Sequence, residues 1–147
     1  MQRIKIEKMR LFDIPSVAEL DKNSLFESWS EKIYEESLKN KNYNILVAKL
    51  GSKIVGFISM YCAVDEGYIC NIAVEKSHRK QGIGTSLISE IITYSQNKNL
   101  KFLTLEVRES STETVKFYEK LGFDKLGVRK NFYLNPTENA VIMTLYF

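Results

Sequence analysis

The chain has 147 residues, a length that suits one domain of the usual ~100–200 residues. Hydrophobic residues make up 44% and charged residues 27%, an ordinary globular composition that excludes a disordered chain. The formal net charge of +3 is too mild for a dedicated nucleic-acid binder, yet it is compatible with an anionic cofactor.

No apolar run approaches the ~20 residues needed to span a bilayer, and the opening MQRIKIEKMRLFD lacks the apolar stretch of a signal peptide. A cytoplasmic protein with no membrane partner is expected. The two cysteines, Cys62 and Cys70, have neither CxxC spacing nor a disulfide-dense context, so free thiols are expected. With His78 as the one histidine, no metal site is expected.

Ile4 and Ile6 alternate with Lys5 and Glu7, the pattern of a short strand buried on one face. Asp13 ahead of Ile14-Pro15 predicts a capped helix carrying Val17, Ala18 and Leu20. A second helix is predicted from Ser30-Glu31-Lys32, with Ile33, Tyr34 and Leu38 facing inward. Tyr43–Leu50 and Lys53–Cys62 then read as a hairpin around Gly51-Ser52. Gly67–Val74 is nearly all apolar, which predicts a central strand covered on both faces, with Cys70 packed in the sheet. Behind it, Ile83, Leu87, Ile88, Ile91, Ile92 and Ser95 recur at helical spacing. Lys101–Val107 is a predicted strand with Phe102, Thr104 and Glu106 on one face and Leu103, Leu105 and Val107 on the other. Ser110 and Glu113 have the spacing of a capping box for a helix holding Val115, Tyr118 and Leu121, ended by Gly122. Phe123–Arg129 and Ala140–Phe147 complete a mixed sheet flanked by helices, an α/β (α+β) fold class.

Two constellations carry chemistry. The run His78-Arg79-Lys80-Gln81-Gly82-Ile83-Gly84-Thr85 lies between a buried strand and an amphipathic helix. Small residues there admit close approach of a ligand, and unpaired amides at a helix start attract an anion. A solvated basic turn, with His78 in solvent, is the alternative. The spacing is neither a Walker loop nor GxGxxG.

The second constellation pairs Glu106 with Tyr118 on the next helix. A carboxylate in an apolar strand suits a general base, though a rim carboxylate paired with Arg108 or a lysine explains it as well. Tyr118 on an apolar stripe also fits a core residue. Arg129-Lys130-Asn131-Phe132-Tyr133 mixes basic and aromatic residues, which suits either RNA or a loop lining a peptide groove.

Taken together, NIAVEKSHRKQGIGTSLISEII and LEVRESSTETVKFYEKLGF resemble the GCN5-related N-acetyltransferase superfamily. Arg79, Gly82 and Gly84 match its [RQ]xxGx[GA] signature. Within it, Asn71 to Val74, Leu105 to Arg108, Tyr118 before Leu121-Gly122-Phe123, Arg129 to Tyr133, Trp29-Ser30-Glu31 and Ala140 to Met143 resemble the ribosomal-protein-alanine N-acetyltransferase family.

The resemblance implies a single N-acetyltransferase domain over residues 1–147. Its sheet would be mostly antiparallel, with about seven strands and about four helices, splayed between the fourth and fifth strands. It implies acetyl-CoA as co-substrate, held by Ile72, Ala73, Val74, Arg79, Lys80, Gln81, Gly82, Ile83, Gly84, Thr85, Ser111 and Tyr118. Glu106 would act as general base and Tyr118 as general acid. Trp29, Glu106, Asn131 and Tyr133 would meet the acceptor, the N-terminus of a small-subunit ribosomal protein or another peptide, with no direct nucleic-acid partner. Ser111 stands where that family commonly carries Asn, and Ser28 where a proline is usual. A small-molecule amine acetyltransferase and a non-catalytic acyl-CoA-binding module remain the alternative readings.

Overall fold

The computed structural model describes residues 3–24 and 28–147. Among these, seven strands form one sheet in the order β1-β2-β3-β4-β5-β7-β6. The strands are β1 (Ile4–Lys8), β2 (Tyr43–Leu50), β3 (Lys53–Ala63), β4 (Glu66–Val74), β5 (Phe102–Arg108), β6 (Asp124–Leu134) and β7 (Thr137–Tyr146). The helices are α1 (Ile14–Ser24), α2 (Glu31–Leu38), α3 (Ile83–Asn97) and α4 (Thr112–Lys120). Every pairing is antiparallel except β4 with β5, as the mixed, mostly antiparallel expectation required.

The sheet buries both of its faces, but unequally. On one side α3 contributes Ile83, Leu87, Ile88 and Ile91 and α4 contributes Val115 and Tyr118 to a core with Leu103, Leu105, Val107 and Met143. On the other side α1 and α2 cover β2–β4 through Ile14, Val17, Leu20 and Tyr34, packed on Val47, Phe57 and Ala73. Burying a side chain of this size contributes about 1.5–3 kcal/mol, so each helix is held mainly by its apolar stripe.

Local differences from the sequence reading have physical causes. Asp13 does not cap α1: it closes a 3-10 turn, Leu11–Asp13, and its carboxylate accepts from the Arg10 amide at 2.9 Å and pairs with Lys49 at 3.0 Å. Ser30 does cap α2, accepting from the Ile33 amide at 3.3 Å, but of the three predicted inward residues only Tyr34 is buried. Ile33 and Leu38 are exposed because the face that α2 turns inward carries Tyr34 and Ser37. At the head of α4 the cap position falls on Ser111 without a side-chain bond, while the Ser110 amide donates to Glu138 at 2.6 Å. The capping box is therefore replaced by a tertiary contact.

β4 is the element that decides the site. Its burial alternates instead of being continuous, and Cys70 is exposed. Opposite it, Ser59 pairs with Asn71 and Met60 with Ile69, which leaves Cys70 as an extra residue in a bulge. The bulge switches faces: Ile69, Ile72 and Val74 meet the α3 core, whereas Ala73 meets α1 and α2. A strand that feeds two cores reads as one apolar run. β4 and β5 then pair only at Glu66–Phe102, Gly67–Leu103 and Tyr68–Thr104, and beyond these the two strands part. That is the expected splay.

Candidate functional site

The gap between β4 and β5 opens into a cavity of about 700 Å³. Its walls include Ile72, Ala73 and Val74 from β4, Arg79, Lys80 and Gly82 from the following turn, Ile83, Gly84 and Thr85 from α3, and Tyr118 from α4. Most of the sequence-predicted cofactor residues therefore meet in one place. Gln81 lies outside these walls, and Ser111 stands at the cap position of α4 instead of lining the cavity. Glu113, Thr114 and Phe117 line the cavity unanticipated; their signal was the helical spacing that brings one face of α4 to Tyr118. His78 also lines it and is half-buried, its Nδ1 3.0 Å from Ser77 Oγ, instead of lying in solvent.

The turn is built to present amides. Gly82 caps α3 at φ 84°, in the left-handed region, and a Cβ there would meet nothing within 4 Å. The first helical bond of α3 runs from the Ser86 amide to the Gly82 carbonyl at 3.0 Å, so the amides of Ile83, Gly84 and Thr85 precede it. Arg79 Nε donates to the Val74 carbonyl at 3.0 Å, which ties the turn to the end of β4.

The backbone of β4 also faces the gap. The Glu75 amide donates to Val55 of β3 at 2.8 Å. Because bonds to one neighbour alternate along a strand, the Val74 amide and carbonyl point the other way, toward β5.

Glu106 and Tyr118 sit on opposite sides of the sheet. Tyr118 is 3% exposed, its ring packed edge-on to Phe117 and Phe123 at 5.2 and 5.4 Å between centroids. Burial, with Tyr133 nearby, raises its hydroxyl well above the usual phenol value, so it stays protonated at neutral pH. Glu106 alternates with the buried Leu105 and Val107 and emerges on the face left open by α1 and α2, half-buried. Arg129 stands 3.7 Å from it, and Arg108 pairs with Glu138 at 3.2 Å.

Of the residues expected to meet an acceptor, Trp29 packs on that side of the sheet, and Asn131 and Tyr133 lie on β6. Trp29 stacks on Tyr34 at 5.4 Å and edge-on to Tyr43 at 5.9 Å. Arg129 to Tyr133 belong to β6 and are not a loop, because the register shifts there and Lys130 to Phe132 bulge opposite Asn139. Within that bulge the Asn131 amide donates to Asn139 Oδ1 at 3.0 Å, with φ 54° at Asn131. Tyr133 lies under the Arg108 guanidinium at 4.3 Å.

Residues 14–123 match the Acetyltransferase (GNAT) family. The chain belongs to this family. It is 30% identical over 144 residues to the ribosomal protein bS18-alanine N-acetyltransferase of Escherichia coli K12, covering 95% of each chain. The crystal structure of the Escherichia coli ribosomal-protein-S18-alanine N-acetyltransferase superposes with a TM-score of 0.90 at 27% identity, over 98% of this chain and 94% of that one. A Bacillus anthracis protein solved in complex with acetyl coenzyme A superposes at 0.83 with 26% identity, over 99% of each chain. The sheet with its parted β4 and β5 is thus the GNAT fold, and the chain is an N-acetyltransferase. Among the described residues no helix is long and apolar enough to cross a membrane.

Proposed function

We propose that this N-acetyltransferase moves an acetyl group from acetyl-CoA to a protein N-terminal α-amino group, with the N-terminal alanine of ribosomal protein bS18 as the acceptor. One observation carries the reading: an amide-rich cavity beside Tyr118, lined by the end of β4 beyond the point where it parts from β5, the strand that bears Glu106. The Escherichia coli relative's name supplies the acceptor, and the Bacillus anthracis structure supports the co-substrate.

The residues suit acetyl-CoA. The amides of Ile83, Gly84 and Thr85, with the positive pole of α3, would hold its pyrophosphate, and Lys80 adds charge beside them. The gap-facing backbone of Ile72 to Val74 would pair with its amide-containing arm as an added strand. When bound, the co-substrate supplies a thioester acetyl group, which passes to nitrogen as the C–S bond breaks and CoA leaves as a thiol.

The chain's own groups would manage the protons. An α-amino group has a pKa of ~7.7–8.0, so at neutral pH much of it must lose a proton before it can attack. Glu106 would take that proton, directly or through one water. The Val74 amide would donate to the carbonyl oxygen as negative charge builds there. Tyr118, kept protonated by its burial, would deliver a proton to the departing sulfur. Positioned acid–base groups of this kind contribute roughly 10²–10⁴-fold.

The test is CoA release from acetyl-CoA with peptides beginning Ala, Ser or Met, a blocked peptide carrying an internal lysine, and a small primary amine. Turnover concentrated on the Ala-initiated peptide is expected. Preferred turnover of the small amine would replace the acceptor assignment, and binding of CoA without turnover of any acceptor would make the chain a binding module.

A further inference from the structure

One buried acid lies outside both the cavity and the proton path. Asp21, on α1, is fully buried, and its Oδ2 is a meeting point of three elements. It accepts from the hydroxyl of Tyr34 on α2, from the Trp29 amide at 3.0 Å and from Asn71 Nδ2 of β4 at 3.2 Å. Asn71 Nδ2 also donates to the Tyr34 hydroxyl at 3.3 Å, which closes the network. Three donors on one oxygen are what an ionised carboxylate accepts.

The arrangement is costly as a stabiliser. Asp21 Oδ1 is buried with no hydrogen-bond partner among the described residues, as is Ser59 Oγ on β3, the residue paired with Asn71. Burial raises the Asp21 carboxyl above its ordinary value despite the three donors. An apolar residue at position 21 would spare that desolvation. What the carboxylate supplies instead is one fixed point shared by α1, α2, the Trp29 amide and β4.

Those parts border the open face. Trp29 begins the segment that leads into the Ser30 cap of α2, and its ring rests on Tyr34 and Tyr43. Asn71 follows the Cys70 bulge and precedes the cavity-lining residues Ile72 to Val74. Trp29 packs on the α1–α2 side of the sheet, the side onto which Glu106 emerges.

We propose that Asp21 is a positioning residue for the acceptor: its buried carboxylate, through Tyr34, Asn71 and the Trp29 amide, sets the Trp29 segment against β4 and so shapes the acceptor side of the gap. This rests on the reading that the acceptor approaches from the face bearing Glu106. Asp21 touches neither substrate and acts only through the residues it holds.

Trp29 is the sole tryptophan of the chain, so its fluorescence reports on this network alone. In Asp21→Asn, the three donors are left with a neutral amide oxygen, a weaker acceptor than a carboxylate, and the new NH2 enters the unpartnered Oδ1 position as a buried donor. Acrylamide quenching of Trp29 should rise at least about 1.5-fold, and the KM for an Ala-initiated peptide at least about fivefold, while the KM for acetyl-CoA stays within about twofold. Tyr34→Phe, which keeps the carboxylate and two of its donors, should move the same quantities in the same direction by less. It carries the test if Asp21→Asn does not fold. Unchanged quenching, or KM values for peptide and acetyl-CoA that rise together, would overturn the proposal. Quenching is read without any acceptor, so a wild-type chain inactive on every peptide refutes the acceptor reading separately.

Discussion

Arg129 of β6 reaches across β7 to stand 3.7 Å from Glu106 of β5. The guanidinium is more than half exposed, and such pairs contribute about 0–1 kcal/mol. Arg129 therefore adds little to what β5 already does in placing Glu106.

Glu106→Gln follows from that geometry. Glutamine keeps the shape of this half-buried side chain, so the melting temperature should stay within about 4 °C of wild type. CoA release with an acceptor peptide should nevertheless fall at least about tenfold, with CoA affinity by calorimetry unchanged. Wild-type turnover would remove Glu106 from the proton path.

Tyr118→Phe keeps the ring on Phe117 and Phe123 and removes only the hydroxyl. Turnover should drop at least about tenfold with the circular dichroism spectrum intact. The alkaline limb gives a second readout. Burial raises the Tyr118 hydroxyl above 10, so the unfolded chain ionises first and the folded state loses stability as pH climbs beyond that value. Urea midpoints should decline more steeply above pH 10 in wild type than in Tyr118→Phe.

Gly84→Ala separates stability from binding. A Cβ at Gly84 would meet Phe117 Cζ at 3.6 Å and Val74 Cγ2 at 3.9 Å, which is ordinary contact, and replacing glycine inside a helix contributes about 0.5–1 kcal/mol. The melting temperature should rise by a few degrees, on the order of 1–4 °C. The same methyl group stands in the amide cradle, so CoA should bind at least about tenfold more weakly by calorimetry, and equal affinity would mean the pyrophosphate lies elsewhere.

Glu138 predicts an acid limb. The Ser110 hydroxyl and amide, with Arg108, hold its carboxyl below the usual carboxylate range. Its contribution is present above an unfolded value near 4.5 and is lost as pH falls through the folded value. Stability measured from about pH 5 downward should fall less steeply in Glu138→Gln than in wild type, and identical slopes would show that the contact is not made in solution.

Much of this molecule was legible in the chain alone. Periodicity located the hairpin of β2 and β3, the α3 stripe and the alternation of β5, because each pattern records which side of one element meets a core. Two glycines, a basic run and an amphipathic helix marked the amide cradle, since a helix start needs no distant partner to present its amides. Distant partners were invisible. The Cys70 bulge depends on how β3 registers with β4, Asp13 and Ser110 found tertiary partners in place of local caps, and Glu106 met Arg129 only after β7 had been laid between their strands. Asp21 shows the limit most plainly. One acid among polar neighbours in sequence looks like solvated surface, and only the packing of α1 and α2 on β4 turned it into a buried centre. Local spacing fixes what an element can be; which polar groups end up buried together is set by the faces that close over them.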